Sequence, residues 1–221
     1  MADLKSYRNS ELKWYLLANV LLLLLSSSNN ILARLFIAEG IAWEAVSAFL
    51  QTALLSTFSY VIVFILDSLP PTELKDKVIF LWSKKPSHTI FTTIEKKCKD
   101  DRFTCEQIKA KHPEAFQSCN VNQQTRLWYA IYSKHRDAAM VHSSNRDYLL
   151  ARDLCVQTVI LLLVYLFLCV VSGELSYSLL YIGYLVVMYV LTNLATRNKA
   201  RRFAFNVLAY DISIKEEPKD G

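Results

Sequence analysis

Four long stretches of the chain are apolar and almost free of charged residues. They are Trp14–Ile37, Val46–Leu69, Leu154–Ser172 and Leu175–Ala195. Each is close to the about 20 residues that a helix needs to cross about 30 Å of hydrocarbon. If the protein were soluble, all four helices would be apolar on every side and would have no polar face to turn towards water, which is unfavourable. The sequence therefore predicts an all-α membrane protein with four transmembrane helices, surrounded by the lipid bilayer.

Lysine and arginine are concentrated in three segments, and this placement predicts the orientation. The short connection 38–45 has none, whereas Met1–Lys13 and the residues after Ala195 are basic, and 70–153 holds 15 Lys and Arg against 10 Asp and Glu. Basic loops stay in the cytoplasm. We therefore expect both termini, and a large α-rich domain inserted between the second and third helices, to face the cytoplasm of a bacterium, with the spans in its inner membrane.

This topology divides the chain into five parts. They are a cytoplasmic N-terminus at 1–13, a transmembrane hairpin at 14–69, a basic cytoplasmic domain at 70–153, a second hairpin at 154–195, and a basic tail at 196–221 in which Phe203–Tyr210 is amphipathic. The first helix also has the layout of a signal peptide, with small residues at Ser26–Ser28 after an apolar run. Because the apolar run continues through Ile31–Ile37, an uncleaved anchor is favoured.

Local patterns predict several elements in the cytoplasmic domain. Val78–Trp82 and Thr89–Ile94 are short, β-branched and aromatic, which favours strands or extended segments. Glu106–Phe116 is predicted to be helical up to Pro113, and Gln123–His135 has helical spacing. Asn145–Asp153 has no Gly or Pro before the third span, so one long helix is expected there.

Polar side chains mark the first two membrane helices. Asn19, Ser26 and Asn30 fall on one stripe of the first helix, and Gln51 lies in the second. Two interpretations remain open: hydrogen bonding between helices, or the lining of a conducting path. Since four helices enclose no wide path, a channel requires a homo-oligomer, for which a tetramer is one expected size.

Sequence motifs for catalysis or metal binding are absent. There is no Walker loop, G-x-S-x-G or H-E-x-x-H. Cysteines and histidines offer a candidate zinc site (Cys98, Cys105, Cys119 with His88 or His112) and a candidate nucleophilic set (His135, Asp137, Cys119), but their spacing favours neither. We therefore expect no enzyme, no cofactor and no metal.

Basic and aromatic residues interleave between positions 126 and 153, as they do where bases stack and phosphates pair with arginine. The candidate ligand-binding residues are Arg126, Tyr129, Arg136, His142, Arg146, Tyr148 and Arg152. The alternative is that Trp128 and its aromatic neighbours form the domain core while the basic residues attract lipid headgroups.

One run of residues resembles the pattern of small bacterial membrane proteins of anti-phage defence. In chain order it consists of Trp128, Arg136-Asp137, Val141-His142, Asn145, Tyr148 and Arg152-Asp153. Three upstream blocks add to the likeness, which spans about 70–204: Lys84-Lys85-Pro86, Lys99-Asp100-Asp101-Arg102 and Lys111-His112-Pro113. The sequence departs from the pattern of those proteins at Asp153, where they have Asn. In Hailong-type systems the effector is paired with a nucleotidyltransferase whose nucleic-acid-like product controls it.

The resemblance implies an oligomeric effector, an ion channel that permeabilises the inner membrane under the control of a single-stranded oligonucleotide or nucleotide, and hence DNA binding. A nucleotidyltransferase is then the expected partner. The alternative is a non-conducting scaffold that recruits a partner protein through its cytoplasmic domain. A membrane enzyme acting on lipid headgroups is disfavoured because mid-membrane and interfacial carboxylates are missing.

Overall fold

The computed structural model describes residues 11–27, 61, 65, 68–81, 83–98, 100–117, 120–172 and 179–214. These residues are almost entirely helical and, within the described ranges, form no strand. The helices are α1 (Glu11–Ser27), α2 (Thr72–Phe80), α3 (Pro86–Lys96), α4 (Cys105–Lys111), α5 (Glu114–Gln117), α6 (Val121–His135), α7 (Ala139–Ser172) and α8 (Leu179–Ser213). The predicted all-α fold class is therefore confirmed at this coarse level.

Two of the predicted elements are wrong. Val78–Phe80 belongs to α2 and Thr89–Ile94 lies inside α3, so neither segment is a strand. In α3 the proline at the first position presets the helical φ angle. The apolar residues Ile90, Phe91 and Ile94 then recur on one buried helical face, and their packing overrides the β propensity of the threonines and isoleucines.

The other predicted helices of the domain are present. α6 covers the predicted Gln123–His135, and α4 ends before Pro113, as expected. Thr104 caps α4 through a reciprocal capping box with Gln107. The expected long helix is α7, which runs without interruption through the third apolar stretch. The amphipathic Phe203–Tyr210 is not a separate element, because α8 continues through it from the fourth apolar stretch.

The chain divides into two compact units. Unit 1 contains the described residues of Asp76–Ala151 and Ala195–Gly221, and unit 2 contains those of Ser6–Lys75 and Arg152–Leu194. The long helices α7 and α8 contribute residues to both units. The core of unit 1 is aromatic and aliphatic, with Trp128, Phe91, Ile79 and Leu208 almost fully buried.

Unit 2 contains the apolar halves of the two long helices. Leu16 of α1 packs with Leu161 and Tyr165 of α7 and with Tyr181 and Leu185 of α8. Among the residues that the structure describes, two helices, Ala139–Val171 and Leu179–Ser213, are long and apolar enough to cross a membrane. Among the described residues, the first predicted span is represented by α1, whereas most of the second predicted span (46–69) lies outside them.

Candidate functional site: the basic helical unit

Helix α6 carries the centre of the predicted ligand site, and its two faces differ. Asn120 caps its N-terminus by accepting a hydrogen bond from the amide of Asn122, at 2.9 Å. Gln124, Trp128, Ile131 and His135 are buried, at spacings of three and four that place them on one face. The interleaving of basic and aromatic residues in the sequence is thus partly the signature of an amphipathic helix.

The aromatic residues of this region form the core of unit 1. The ring of Trp128 stacks on Tyr132 at 5.6 Å between centroids, and its edge contact with Phe203 of α8 is 5.4 Å. Phe203 also stacks on Tyr148 at 6.1 Å. The indole Nε1 of Trp128 donates to the carbonyl of Ala204 at 3.3 Å. These contacts tie α6, α7 and α8 together within the unit.

The seven predicted ligand residues fall into three groups by exposure. Arg126, Tyr129 and Arg136 are exposed on or directly after α6, and Tyr129 is 43% exposed. His142 and Arg146 are half-buried on α7. Tyr148 and Arg152 are buried, at 3% and 9% exposure. Only the side chains of the first group are exposed to solvent, as the binding of a large ligand requires.

Tyr148 is held in a polar network of unit 1. Its hydroxyl donates to Asp76 Oδ1 at 3.1 Å, and Lys85 Nζ lies 3.1 Å from Asp76 Oδ2 and 5.4 Å from the centre of the Tyr148 ring. Burial lowers the pKa of Lys85, but the neighbouring Tyr148 and Asp76 outweigh burial and raise it above its usual value. Lys85 is therefore a stable cation, already balanced by Asp76.

Arg152 is engaged within unit 2. Its Nη2 lies 2.9 Å from Oδ1 of Asp153, a carboxylate with no exposed surface, and Lys75 Nζ lies 3.9 Å from the same oxygen. A buried carboxylate needs such partners to offset its lost hydration. The guanidinium of Arg152 thus stabilises Asp153.

Sequence reasoning missed a buried junction around Asp211 of α8. Its Oδ1 lies 2.7 Å from His135 Nε2, and its Oδ2 lies 2.8 Å from His112 Nε2. Lys111 Nζ donates to the backbone carbonyl oxygen of Asp211 at 2.5 Å. Asp211 is 2% exposed. Burial raises the pKa of this carboxyl, but the hydrogen bonds from His112 and His135 and the charge of Lys111 outweigh burial and lower it.

The junction binds the elements of unit 1 to one another. Both carboxylate oxygens are already used, and among the described residues no cluster of His, Cys, Asp and Glu is arranged to hold a metal ion. A signal for it existed in the sequence: Asp211 follows Ala204, Val207 and Leu208 at helical spacing on a buried face. A carboxylate on such a face requires basic partners.

The cysteines and histidines of the candidate zinc and nucleophilic sets have other contacts in the structure. Cys98 and Cys105 are free thiols, half-buried, and Cys98 donates weakly to the carbonyl of Phe103 at 3.4 Å. His112 and His135 both face Asp211. Cys119 lies outside the described residues.

The predicted pore-lining residues are described only in part. Asn19 is 1% exposed. Its side-chain Nδ2 donates to the backbone carbonyl of Tyr15 at 2.8 Å, and its backbone carbonyl accepts from the hydroxyl of Tyr181 at 3.2 Å. Tyr15 also bonds Thr158 of α7 at 2.7 Å. These bonds join α1, α7 and α8. Asn30, Gln51 and the side chain of Ser26 lie outside the described residues.

No family model, curated protein or solved structure matches this sequence.

Proposed function

We propose that the chain is a multi-pass membrane effector whose four helices cross a bacterial inner membrane and whose basic helical unit lies in the cytosol. It assembles as a homo-oligomer that conducts ions. A single-stranded oligonucleotide, made by a partner nucleotidyltransferase, binds the basic unit and gates the path, so that the cell is depolarised in anti-phage defence.

The observation that carries the proposal is the continuity of α7 and α8. Each helix supplies an apolar half to unit 2 and a half packed into unit 1. Because α7 contains no Pro or Gly and such a helix bends little, a ligand that displaces its half in unit 1 acts on the membrane half of the same helix. Ligand binding and conduction are thereby coupled without any additional linker.

Exposed apolar surface supports the membrane location. On α7 the exposed fractions are 60% for Leu163, 65% for Phe167 and 71% for Val170; on α8, Leu180 reaches 88% and Leu191 56%. In water such continuous apolar faces promote aggregation. In a bilayer, hydrocarbon covers them while the backbone hydrogen bonds remain inside each helix.

The exposed residues of α6 form the proposed ligand surface, which we define as Arg126, Tyr129 and Arg136. Their spacing of three and seven residues places them on one side of the helix, away from the buried Trp128 face. Arginine binds phosphate with a fork of donors, and an exposed tyrosine ring provides a stacking platform for a base.

The proposal is tested with purified full-length protein in planar bilayers, with and without a single-stranded thymidine oligonucleotide. Conductance that changes on addition of the oligonucleotide supports it, whether the ligand opens or closes the path. Absence of conductance in both conditions, together with oligonucleotide binding, would instead favour the non-conducting scaffold. The sensitive variant is Arg126→Glu with Arg136→Glu, and the control is Lys96→Glu with Lys97→Glu, which reverses two exposed charges at the end of α3.

Salt dependence provides a second readout of the same surface. Each phosphate neutralised on a single strand contributes about −0.7 to the slope of log affinity against log salt concentration. We expect the α6 double variant to lose affinity and to reduce that slope by about 1 to 2. The α3 control should retain the slope of the native protein.

A further inference from the structure

A small cavity in unit 1 lies apart from the proposed ligand surface. It has a volume of about 110 Å³ and is lined by α3 and α8 together with the residues that precede α3. Ile90 and Phe205, which are almost buried, contribute its apolar wall. Thr89 and Thr93 add hydroxyl groups, and Lys84 and Arg201 add two cations.

The two cations at this cavity differ from their neighbours in lacking partners. Within the described ranges, neither the ammonium group of Lys84 nor the guanidinium group of Arg201 forms an ion pair or a hydrogen bond. The nearby cations do: Lys199 Nζ lies 2.5 Å from Asp147 Oδ2, and Arg197 donates twice to the carbonyl of Ile79, at 2.9 and 3.1 Å.

Two unpaired cations that line one small cavity create a positive potential there. Like charges at close range oppose each other, and an anion placed between them removes that repulsion and gains charge-assisted hydrogen bonds. The cavity is therefore better suited to a bound anion than to an empty or cationic state. Thr89 supplies an additional hydroxyl donor on the same wall.

The size of the cavity limits the anion. Pockets for drug-sized ligands measure roughly 300 to 1,000 Å³, whereas this one has about 110 Å³. A nucleoside does not fit inside it, but a single tetrahedral phosphate group does. The rest of a larger ligand would have to extend outside, past the exposed side chains of Lys84 and Arg201.

We infer that the cavity bounded by Lys84, Arg201 and Thr89 is a binding site for a single phosphate group, either inorganic or at the end of a phosphate monoester. This inference goes beyond the proposed oligonucleotide surface on α6 and does not depend on ion conduction. The monoester group belongs to a soluble nucleotide or to a phosphatidic acid headgroup, and the chemistry that binds it is the same.

The test measures the thermal unfolding temperature of the purified full chain in detergent against rising inorganic phosphate, at ionic strength held constant with potassium chloride. The pocket variant is Lys84→Gln with Arg201→Gln. The matched control is Lys96→Gln with Arg202→Gln, which removes the same two types of charge from exposed positions that do not line the cavity. Both variants should unfold cooperatively without phosphate, because all four side chains are exposed.

We expect phosphate to stabilise the native protein and the control, and the apparent Kd to rise about tenfold or more in the pocket variant, which corresponds to about 1.4 kcal/mol or more. Thymidine 5′-monophosphate and dihexanoyl phosphatidic acid are titrated in the same way. The probe that binds the native protein with the highest affinity, and whose affinity falls most in the pocket variant, identifies the source of the phosphate group. No stabilisation by any of the three, or equal losses in both variants, would overturn the site.

Discussion

His135 Nε2 and Asp211 Oδ1 lie 2.7 Å apart in the interior of unit 1, although 76 positions separate them in the chain. This contact joins the last residue of α6 to the last turns of α8. With His112 on the other carboxylate oxygen at 2.8 Å, Asp211 binds three segments of the unit at one point. The same α8 carries the fourth apolar stretch, so the junction determines where that helix is held in unit 1.

Replacing Asp211 by Asn should destabilise the protein strongly. The change leaves Lys111 and two buried or half-buried histidines without their anion, and breaking a buried ion pair costs about 3 to 5 kcal/mol. We expect the unfolding temperature in detergent to fall by roughly 10 °C. Asp137→Asn is the control: this carboxylate is 66% exposed and its ion pair with Arg136 spans 3.7 Å, so its loss should cost under about 0.5 kcal/mol.

The lowered pKa of Asp211 predicts when acid weakens the junction. Its folded pKa lies below its unfolded value of 3.8, so the stability it contributes is fully present above that value. The contribution disappears as the pH falls through the lower folded pKa. The difference in unfolding temperature between the native protein and Asp211→Asn should therefore stay large from pH 7 to about pH 4 and only begin to narrow between pH 4 and pH 3. Convergence already near pH 6 would contradict the lowered pKa.

Tyr148→Phe isolates one hydrogen bond of the network at Asp76. The variant retains the stacking on Phe203 but loses the donor to Asp76 Oδ1 at 3.1 Å, which should cost about 1 kcal/mol of unfolding free energy. Lys85 still balances Asp76, so the carboxylate is not left alone. Tyr129→Phe, at an exposed position, should leave the unfolding free energy unchanged. If Tyr148→Phe and Tyr129→Phe changed that free energy equally, a structural role for the Tyr148 hydroxyl would be refuted.

Adjacent aromatic residues of α6 should separate folding from ligand binding. Trp128→Ala removes a side chain that is 1% exposed and should cost about 3 to 5 kcal/mol of stability. Tyr129→Ala removes a ring that is 43% exposed and contacts Trp128 at 5.1 Å between centroids, and should cost only about 0.5 to 1.5 kcal/mol of stability. If a base stacks on Tyr129, this variant should weaken oligonucleotide binding by about 1 to 3 kcal/mol. Fluorescence anisotropy of a labelled oligonucleotide measures it, and an unchanged affinity would remove Tyr129 from the ligand surface.

The sequence was sufficient for the features that depend on long regular patterns. The third apolar stretch lies within α7, and the described residues of the fourth, 179–195, lie within α8. The absence of Gly and Pro from Asn145–Asp153 correctly indicated that α7 extends into the domain. These predictions succeed because an apolar run of membrane length has few alternative structures. The four spans and the side of the membrane remain predictions.

Short segments and long-range contacts were not predictable in the same way. Thr89–Ile94 has β-branched composition, but the face formed by Ile90 and Ile94 is buried only when it is helical. The junction at Asp211 joins residues about 76 to 100 positions apart, and no local pattern indicates which histidines will meet one carboxylate. Tyr181 lies in the fourth apolar stretch, and no local pattern indicates that it will be 4% exposed with its hydroxyl bonded to the backbone carbonyl of Asn19.

The central claim is that the chain crosses the bilayer while its basic helical unit remains in the cytosol. A reporter fused after Gly221 measures this directly, because the described end of α8 belongs to that unit. In a bacterial host, the account predicts fluorescence from a green fluorescent protein fusion and no activity from an alkaline phosphatase fusion. An active phosphatase with a dark fluorescent fusion would place the unit outside the cytosol and contradict the account.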